Sequence, residues 1–385
     1  MKTRAMQIYI HIPFCVRKCN YCDFLSFTCD DVLRTKYIDA VKKEIEAAAD
    51  NYSKSQKDVS TIFIGGGTPS SIDGIYIEEI VNKIRDSFNV ADNAEITIEC
   101  NPGTIDSAKL KHYKEAGINR ISMGLQTTDD IILKKLGRIH TYEQFLESYD
   151  CVRNAGIKNV NVDIMSGLPG QSSEMYTEGL RKVCKLEPEH ISAYSLIIEE
   201  GTPFYSKYNE VDGMAVDELP DEENEREQYY NTKVILKEYG YERYEISNYS
   251  KPGYECAHNL GYWKRNPYIG FGIGAASFVN EVRYNNTDNI NKYIANPLDK
   301  AIRTNIQKLM MEEQMEEFMF LGLRMCNGIS EKDFMAKFGK SMYEVFGNTI
   351  DKYVSFDMLY YNNDILKLTD KGIDVSNVIF SDFIL

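Results

Sequence analysis

The chain has 385 residues, of which 43% are hydrophobic and 26% are charged, so we expect it to fold around a large core rather than to stay disordered. Its formal net charge of −14 and its pI near 5.0 disfavour binding to nucleic acid and to anionic lipid. The apolar runs are shorter than the roughly 18 residues of a membrane helix, and Pro13 breaks the short run near the N-terminus, so we expect no membrane span, no signal peptide and a cytoplasmic location.

Six strand–helix pairs are predicted in the first part of the chain, from short apolar runs and from the helical spacing of apolar residues between them. The predicted strands cover 7–12, 59–64, 95–100, 120–125, 160–168 and 190–198, and the helices that follow them cover 32–49, 74–88, 105–116, 142–155, 173–185 and 219–239. Such alternation is typical of parallel β/α architecture. The polar stretch 199–221, which contains two prolines, is predicted to be a surface loop.

The pattern changes after residue 240. Residues 241–284 are rich in Gly, Tyr and Asn and are predicted to close the sheet with irregular structure. Towards the C-terminus, short helices and the final "ILKLTDKGIDVS" indicate a small helical or winged-helix unit. We therefore expect three parts, residues 1–240, 241–300 and 301–385. The last part has 9 Lys and Arg against 13 Asp and Glu, so it is predicted to pack against the rest of the chain rather than to bind DNA.

Motifs that could carry chemistry follow the predicted strands. In chain order they are Cys15, Cys19 and Cys22 after the first strand, "GGGTP" (65–69) after the second, Glu99 at the end of the third, Gln126 after the fourth and Asp163 in the fifth. The carboxyl ends of parallel barrel strands form one face, and active sites are built there. A barrel or partial barrel therefore fits better than a Rossmann sheet, because it brings these residues to one mouth.

The three clustered cysteines have the spacing C-x3-C-x2-C. In a chain of nine cysteines with no predicted secretory signal, such a cluster favours metal binding over disulfides. A structural zinc site needs four ligands, for which His11 is the nearest further candidate, whereas three thiolates on a four-iron cluster leave one iron open. We favour the iron–sulfur cluster and expect Arg17 and Lys18 to lower the pKa of the thiols. The isolated cysteines are interpreted as small buried hydrophobes: Cys29, Cys100, Cys151, Cys184, Cys256 and Cys326.

The other motifs each allow two interpretations. The "GGGTP" run is either a tight turn or a close approach of backbone to the polar end of a cofactor, and it is not a phosphate loop because no lysine follows it. Polar side chains at the barrel mouth are either solvated strand ends or partners for a ligand's hydroxyl or ammonium group. They are Glu99, Gln126, Arg138 and Asp163.

Together these motifs resemble the radical S-adenosylmethionine (SAM) superfamily, and more closely its branch around oxygen-independent coproporphyrinogen III oxidase. The resemblance runs from about residue 7 to residue 280 and weakens towards the C-terminus. The segments that carry it are "YIHIPFCVRKCNYCDF", "IFIGGGTPS", "IECNPGT", "RISMGLQ", "LGRIH", "DIMSGLPGQ", "ISAYSLIIEEGTPF", "YEISNYSKPGYECAHNLGYW" and "YIGFGIGAASF".

The resemblance implies a partial (β/α)6 barrel and a 4Fe–4S cluster on Cys15, Cys19 and Cys22. It also implies that SAM binds the fourth iron and can be split to methionine and a 5′-deoxyadenosyl radical, which is chemistry of the cofactor. Carried over to this sequence, the family's SAM-binding positions are Tyr9, Tyr21, Gly66, Gly67, Thr68, Glu99, Gln126, Arg138 and Asp163.

Two features differ from the oxidase. Phe24 stands where the oxidase has a further cysteine, and the first strand begins near residue 7, where the oxidase carries an N-terminal extension before its barrel. The chain instead is similar to the HemW-type subgroup of heme chaperones, whose signature H-N-x-x-Y-W is found here as His258, Asn259, Tyr262 and Trp263.

The H-N-x-x-Y-W segment suits heme binding. Histidine is a common axial ligand of heme iron, and Tyr and Trp offer flat faces to a macrocycle. We predict His258 as the heme ligand and keep Cys256 as an alternative, against the simpler interpretation of a histidine and aromatic pair packed in the core.

The resemblance implies that the protein binds heme and passes it to an acceptor protein, which the sequence does not name. Coproporphyrinogen III oxidase activity and another radical SAM activity are the alternative functions. No nucleic-acid partner and no integral membrane segment are expected. A homodimer and transient contact with membrane enzymes are left open.

Overall fold

The structure is a computed structural model that describes residues 5–53, 56–209 and 218–385. The first part of the chain alternates strands and helices, as predicted. The strands are β1 (Met6–Ile12), β2 (Asp58–Gly66), β3 (Asn89–Cys100), β4 (Arg120–Gln126), β5 (Asn159–Ser166) and β6 (His190–Ser195). The helices are α1 (Asp31–Ala49), α2 (Gly74–Ser87), α3 (Ser107–Glu115), α4 (Asp130–Lys135), α5 (Tyr142–Asn154), α6 (Ser173–Cys184), α7 (Pro203–Tyr208) and α8 (Glu222–Glu238).

The strands β1 to β6 lie side by side in chain order, and every neighbouring pair among them is parallel. They are apolar because helices cover one side of the sheet and the barrel interior lies on the other. In β1, Ile8, Ile10 and Ile12 are fully buried, and all seven residues of β4 are buried. The predicted parallel β/α architecture is confirmed, and its carboxyl strand ends form one mouth.

Two short helices were not predicted from the sequence. Helix α4 begins after Asp129, whose side chain accepts from Ile132 N–H. Helix α7 lies inside the stretch predicted to be a loop, with Thr202 as the N-cap and Pro203 in the first turn, a pair that favours a helix start. The loop prediction is therefore wrong for Pro203–Tyr208, and residues 210–217 of that stretch lie outside the described residues.

The segment after α8 extends the sheet at both edges. Its elements are β7 (Glu242–Arg243), β8 (Asn248–Ser250), α9 (Ala257–Trp263), β9 (Tyr268–Phe271), β10 (Ala276–Val279), β11 (Val282–Asn285), α10 (Ile290–Ala295) and β12 (Thr304–Lys308). Strands β8 and β7 continue the sheet beyond β6, and β9 to β12 continue it beyond β1. Within the described residues this gives one open sheet of twelve strands, a partial barrel. The expectation of irregular structure is wrong, because strands of two to five residues are too short to show alternation.

The C-terminal part has its own core. Its elements are α11 (Met311–Gly322), β13 (Ile329–Ser330), α12 (Glu331–Phe338), α13 (Met342–Ser355), β14 (Leu359–Tyr361), β15 (Ile365–Leu368), α14 (Asp370–Asp374) and α15 (Ser376–Ser381). Strands β13, β15 and β14 form a small antiparallel sheet, and the helices pack around buried residues such as Phe334 and Ile350. This combination of helices and a small sheet agrees with the predicted winged-helix-like unit.

Contacts join the C-terminal part to the barrel. Cys326 N–H donates to Tyr244 O at 2.9 Å, and Arg243 pairs with Asp370 at 3.0 Å. Helix α11 brings Glu317 against residues that follow α9 and lie in β11. In the described parts of the chain, every helix is too short or too polar to cross a lipid bilayer.

Candidate functional site

The loop that follows β1 carries the three clustered cysteines. Cys15 N–H donates to Phe27 O at 3.0 Å, and Phe27 N–H donates to Pro13 O at 2.9 Å, which ties both ends of the loop together. Cys22 N–H donates to Cys19 O at 3.3 Å in a tight turn. All three cysteines line one cavity of about 420 Å³ at the carboxyl ends of the strands, which we call the cysteine cavity.

The glycine-rich turn after β2 braces the cysteine loop. Gly67 N–H donates to Ile12 O and Thr68 N–H donates to Phe14 O, both at 2.8 Å, and Gly66 N–H donates to the Glu99 carboxylate at 3.1 Å. These N–H groups are therefore committed within the protein. The sequence-based interpretation that the turn presents its N–H groups to a cofactor is not supported at these three positions.

The cysteine cavity gathers most of the predicted SAM-binding residues. Those that line it are Tyr21, Gly66, Gly67, Thr68, Glu99, Gln126, Arg138 and Asp163. Tyr9 does not line it and lies in the neighbouring cavities, with its hydroxyl 3.1 Å from His11 Nδ1. Residues scattered over more than a hundred positions thus meet at one mouth. Most of them stand at or near the ends of parallel strands, whereas Tyr21 comes from the cysteine loop and Arg138 from the segment between α4 and α5.

Several lining residues were missed by the sequence analysis, and two of them bond to predicted site residues. Asn101 stands one residue beyond β3, where its Oδ1 accepts from Arg138 Nη2 at 2.9 Å and its Nδ2 donates to Thr68 Oγ1 at 2.9 Å. Tyr194, near the end of β6, donates its hydroxyl to Gln126 Oε1 at 2.9 Å. Both follow the rule that found the others, since both lie at strand ends.

The three thiols fit a cluster better than a single ion. Within the described residues, the Sγ atoms of Cys15, Cys19 and Cys22 do not all come within 4.8 Å of one another, as ligands of one ion would have to. Thiolates that bind different irons of one 4Fe–4S cluster stand further apart than ligands of a single ion. The donor set therefore matches an iron–sulfur cluster with three protein ligands.

His11 is not a fourth metal ligand in this arrangement. Its Nε2 lies 2.9 Å from Leu25 O, which can only accept, so Nε2 carries the proton. Its Nδ1 then accepts from the hydroxyl of Tyr9 at 3.1 Å. Burial lowers the pKa of His11, which agrees with a neutral ring whose two nitrogens are both in use.

The pKa of the Cys22 thiol is raised, whereas its basic neighbours Arg17 and Lys18 were expected to lower it. Burial raises the pKa of the Cys22 thiol to about 11, and this outweighs the hydrogen bond from Phe24 N–H and the charge of Lys18, which act to lower it. The ammonium group of Lys18 donates to Phe24 O at 2.8 Å. A metal that binds Cys22 must therefore displace a proton.

Two half-buried carboxyl groups face the same cavity. Burial, together with the nearby Asp163, raises the pKa of Glu99 to about 7. Burial also raises the pKa of Asp163, although Asn161 donates to its Oδ1 at 2.7 Å. The Glu99 carboxyl is thus poised to change charge near neutral pH, as a group that meets a cationic ligand often is.

Arg138 supplies a positive charge to the cavity. Its Nη2 donates to Asn101 Oδ1 at 2.9 Å and to Gly124 O, and its Nη1 lies 3.7 Å from Cys19 Sγ. Its Nε is buried and has no hydrogen-bond partner among the described residues. An unpaired buried N–H is costly, so this Nε is a candidate donor to a ligand in the cavity that Arg138 lines.

Gln126 sits at an irregular point of the sheet. The pairing of β4 with β5 shifts between Gly124 and Gln126, and Gln126 has a φ of 74°, which is uncommon for a residue other than glycine. Bulges of this kind redirect a side chain and are frequent next to active sites. Here the bulge turns Gln126 towards Tyr194 and the cysteine cavity.

Two further cavities lie next to the cysteine cavity, each sharing lining residues with its neighbour. The middle cavity, of about 380 Å³, shares Phe24, Gly66 and Glu99 with it. The aromatic cavity, of about 450 Å³, shares Tyr9 and Tyr262 with the middle cavity, and its further lining includes Trp263, Arg265, Tyr268, Phe278, Arg283 and Glu317. Phe24 is 59% exposed and stands where the first two cavities meet.

His258 lies beside the middle cavity but is tightly held. It is 1% exposed, its Nδ1 is 2.8 Å from Thr61 Oγ1, and its Nε2 is 3.0 Å from the Tyr262 hydroxyl. Burial, and secondly the charge of Arg120, lowers the pKa of His258 to about 3. Both ring nitrogens are in use, so this arrangement does not offer one to iron, and the predicted ligand role of His258 stays a prediction.

Cys256, the alternative heme ligand, is fully buried and does not line any of the three cavities described here. Its thiol donates to Glu95 Oε1 at 3.5 Å. The structure therefore places it outside the cysteine, middle and aromatic cavities.

Two family models match the chain, the radical SAM superfamily over residues 9–183 and the HemN C-terminal domain over residues 309–375. The heme chaperone HemW of Lactococcus lactis subsp. lactis (strain IL1403) is 34% identical over 386 residues, which cover 100% of this chain and 99% of the relative. The heme chaperone HemW of Bacillus subtilis (strain 168) is 36% identical over 383 residues, which cover 98% of each chain.

A solved structure is similar over the whole length. The coproporphyrinogen III oxidase HemN from Escherichia coli superposes with a TM-score of 0.86 at 20% identity, covering 100% of this chain and 91% of that chain. At this identity the likeness shows the fold, a partial barrel of the radical SAM type with an added C-terminal unit.

Proposed function

The chain belongs to the radical SAM superfamily and, within it, to the HemW family, and from this premise we propose that it binds a 4Fe–4S cluster, SAM and heme and passes the heme to an acceptor protein. Membership of the superfamily implies the cluster and SAM. Heme binding and transfer are suggested by the names of the relatives and by the shape of the site.

Cys15, Cys19 and Cys22 would hold the cluster, and the cysteine cavity would hold SAM. When bound, the reduced cluster can supply an electron to SAM. The protein's own contribution is to orient SAM and to neutralise its charged groups. Arg138 offers an unpaired N–H to the carboxylate of the methionyl part, and Glu99 offers a carboxylate to an ammonium or hydroxyl group.

The middle and aromatic cavities would hold the macrocycle. Both have volumes in the range of roughly 300–1,000 Å³ that is usual for ligand sites, and the aromatic cavity is walled by Tyr262, Trp263 and Tyr268. Trp263 is the single tryptophan of the chain, and its buried Nε1 has no hydrogen-bond partner in the described residues. If His258 binds the iron, Tyr262 must first give up its hydrogen bond to Nε2.

The observation that carries this proposal is that three neighbouring cavities share lining residues. The first is lined by three thiols and two carboxyl groups, Phe24 lines both the first and the second, and the third lies among aromatic rings. An iron–sulfur cofactor and a flat apolar ligand can thus occupy neighbouring parts of one site. Phe24, at the junction, stands where the oxidase-like resemblance places a cysteine.

Titration with hemin tests the proposal. The anaerobically reconstituted protein should shift the Soret band and saturate at about one hemin per chain. Trp263→Ala should weaken the binding by about tenfold, because a large ring contact with the macrocycle is lost. Tyr360→Ala, which removes an exposed aromatic ring from β14, is the matched control and should bind hemin as the parent does. No Soret shift with the parent protein would overturn the proposal.

A further inference from the structure

We infer that Arg265 and Arg283 bind the propionate carboxylates of the heme at one end of the aromatic cavity, and that Glu317 occupies this position in the heme-free protein. The inference rests on the proposed function and deepens it, because it names the part of the ligand that is recognised and the side chains that recognise it. Hereafter we call the three residues the Arg–Glu–Arg cluster.

The cluster consists of one carboxylate held between two guanidinium groups. Glu317 Oε2 accepts from Arg265 Nε at 2.9 Å, and Glu317 Oε1 accepts from Arg283 Nη1 at 2.8 Å. All three side chains line the aromatic cavity. The ring of Phe278 lies 5.0 Å from Arg265 Cζ and 5.6 Å from Arg283 Cζ. A carboxylate attached to a flat apolar ligand would find the same partners here, two arginines beside an aromatic wall.

Arg265 keeps one donor unused. Its side chain is 1% exposed, and its Nη2 donates to Glu281 Oε2 at 2.7 Å. Its Nη1 is buried and has no hydrogen-bond partner within the part of the chain that the structure describes. A buried guanidinium N–H that lacks an acceptor is unfavourable, and a carboxylate entering the cavity would satisfy it. This observation indicates an anionic ligand independently of the pair with Glu317.

The backbone conformation at Arg265 is one that glycine adopts more readily than arginine. Helix α9 ends in a Schellman motif, in which Asn266 N–H donates to Gly261 O at 2.9 Å and Arg265 N–H donates to Tyr262 O at 3.0 Å. Arg265 has a φ of 52°, in the left-handed region where glycine is usual at this point of the motif. The chain thus has arginine at a position where glycine would adopt the same backbone at lower cost.

Heme has its two propionates on one edge of an apolar macrocycle, which matches this arrangement. With the macrocycle between the rings of the aromatic cavity, the propionates would replace the Glu317 carboxylate at the two arginines. The exchange keeps both guanidinium groups neutralised, since each of the two arginines would then meet one propionate carboxylate. Glu317 lies on α11, so heme entry would loosen an ion pair that joins the C-terminal part to β11 and to the residues after α9.

Hemin and hemin dimethyl ester test the ligand side of this inference. The ester has the same macrocycle and iron but no carboxylate charge. Each is titrated into the full-length, cluster-loaded protein, and the Soret change gives the dissociation constant. We expect hemin to bind about tenfold more tightly than the ester, as charge-assisted hydrogen bonds to arginine would require. Equal affinities for hemin and the ester would overturn the propionate site but leave the proposed heme binding intact. If hemin does not bind at all, both the propionate site and the proposed function fail.

Two charge changes test the protein side. Arg283→Gln should reduce the preference for hemin over the ester to about threefold or less, because one of the two cations is lost. The control Arg181→Gln, an exposed arginine paired with Glu238, should keep the preference of the parent. An unchanged preference in Arg283→Gln would refute the inference.

Glu317→Gln replaces the competing carboxylate with an uncharged amide of nearly the same shape. It should tighten hemin binding by about threefold or more and leave binding of the ester unchanged, because only the carboxylates compete. Glu312→Gln changes the same charge at an exposed position of α11 and should alter neither. If Glu317→Gln weakens hemin and ester alike, the ion pairs serve only to hold α11 in place, and the inference fails.

Discussion

Gly67→Ala should impair cluster binding by displacing the cysteine loop. A Cβ at this position would lie 2.9 Å from Phe14 O, 3.0 Å from Pro13 C and 3.0 Å from Cys15 Sγ. Two of these atoms are backbone, so the loop itself must move by a few tenths of an ångström. Overpacking of this kind costs about 1–3 kcal/mol, which corresponds to about a 5- to 150-fold loss in the population of the binding geometry. Gly67 has no left-handed φ, so sterics alone are tested.

Iron and sulfide content after anaerobic reconstitution measures the effect. The variant should bind the cluster more weakly than the parent and lose it faster to a chelator, while circular dichroism shows that it is folded. Gly347→Ala in α13 is the control, since its nearest neighbours would lie 3.5 Å or more from the new Cβ. It should retain the cluster fully. Cluster binding by Gly67→Ala as strong as that of the parent would refute the view that the glycine turn braces the cysteine loop.

Three further predictions follow from the site and its surroundings. SAM should bind more tightly as the pH rises through about 7, because ionisation of Glu99 creates the carboxylate that meets the ligand. In calorimetric titrations, Glu99→Gln should abolish this pH dependence. A parent affinity that does not vary with pH would contradict the role of Glu99. Burial raises the pKa of Glu44 to about 7, above its usual 4.5, so the stability linked to this group is fully present below about 4.5 and is lost as the pH rises through about 7. The Tm of Glu44→Gln relative to that of the parent should therefore rise between pH 5 and pH 8. A Tm difference that stays constant over this range would speak against it. His258→Ala should weaken hemin binding and change the electron paramagnetic resonance spectrum of the bound iron if His258 becomes a ligand, whereas weaker binding with an unchanged spectrum would leave it a positioning residue beside Tyr262.

Much of the barrel could be predicted because its strands are buried on both faces. A strand such as β1 shows up as an apolar run, and the rule that ligands bind at the carboxyl ends of parallel strands then brings Cys15, Glu99 and Asp163 together. The same rule, applied to every strand end, would have added Asn101, whereas Tyr194 was missed because the sixth strand ends at Ser195 and not at residue 198 as predicted.

The remaining features depend on contacts between distant parts of the chain. The hydrogen bond of His258 to Thr61 joins residues 197 positions apart, and it decides whether the ring nitrogens are free. The use of the Gly66 and Gly67 N–H groups depends on how the turn meets the cysteine loop. The ion pair of Arg265 with Glu317 joins a helix end to another part of the fold, and charges in an acidic chain carry no pattern that reveals it.

The most direct test of the account measures cluster content, hemin binding and coproporphyrinogen turnover on one preparation. We expect about four irons and four sulfides per chain, saturation by one further hemin, and no conversion of coproporphyrinogen to protoporphyrinogen in the presence of SAM and a reductant. A cluster-loaded protein that leaves the Soret band of hemin unchanged and converts coproporphyrinogen would contradict the account and assign the chain an oxidase activity.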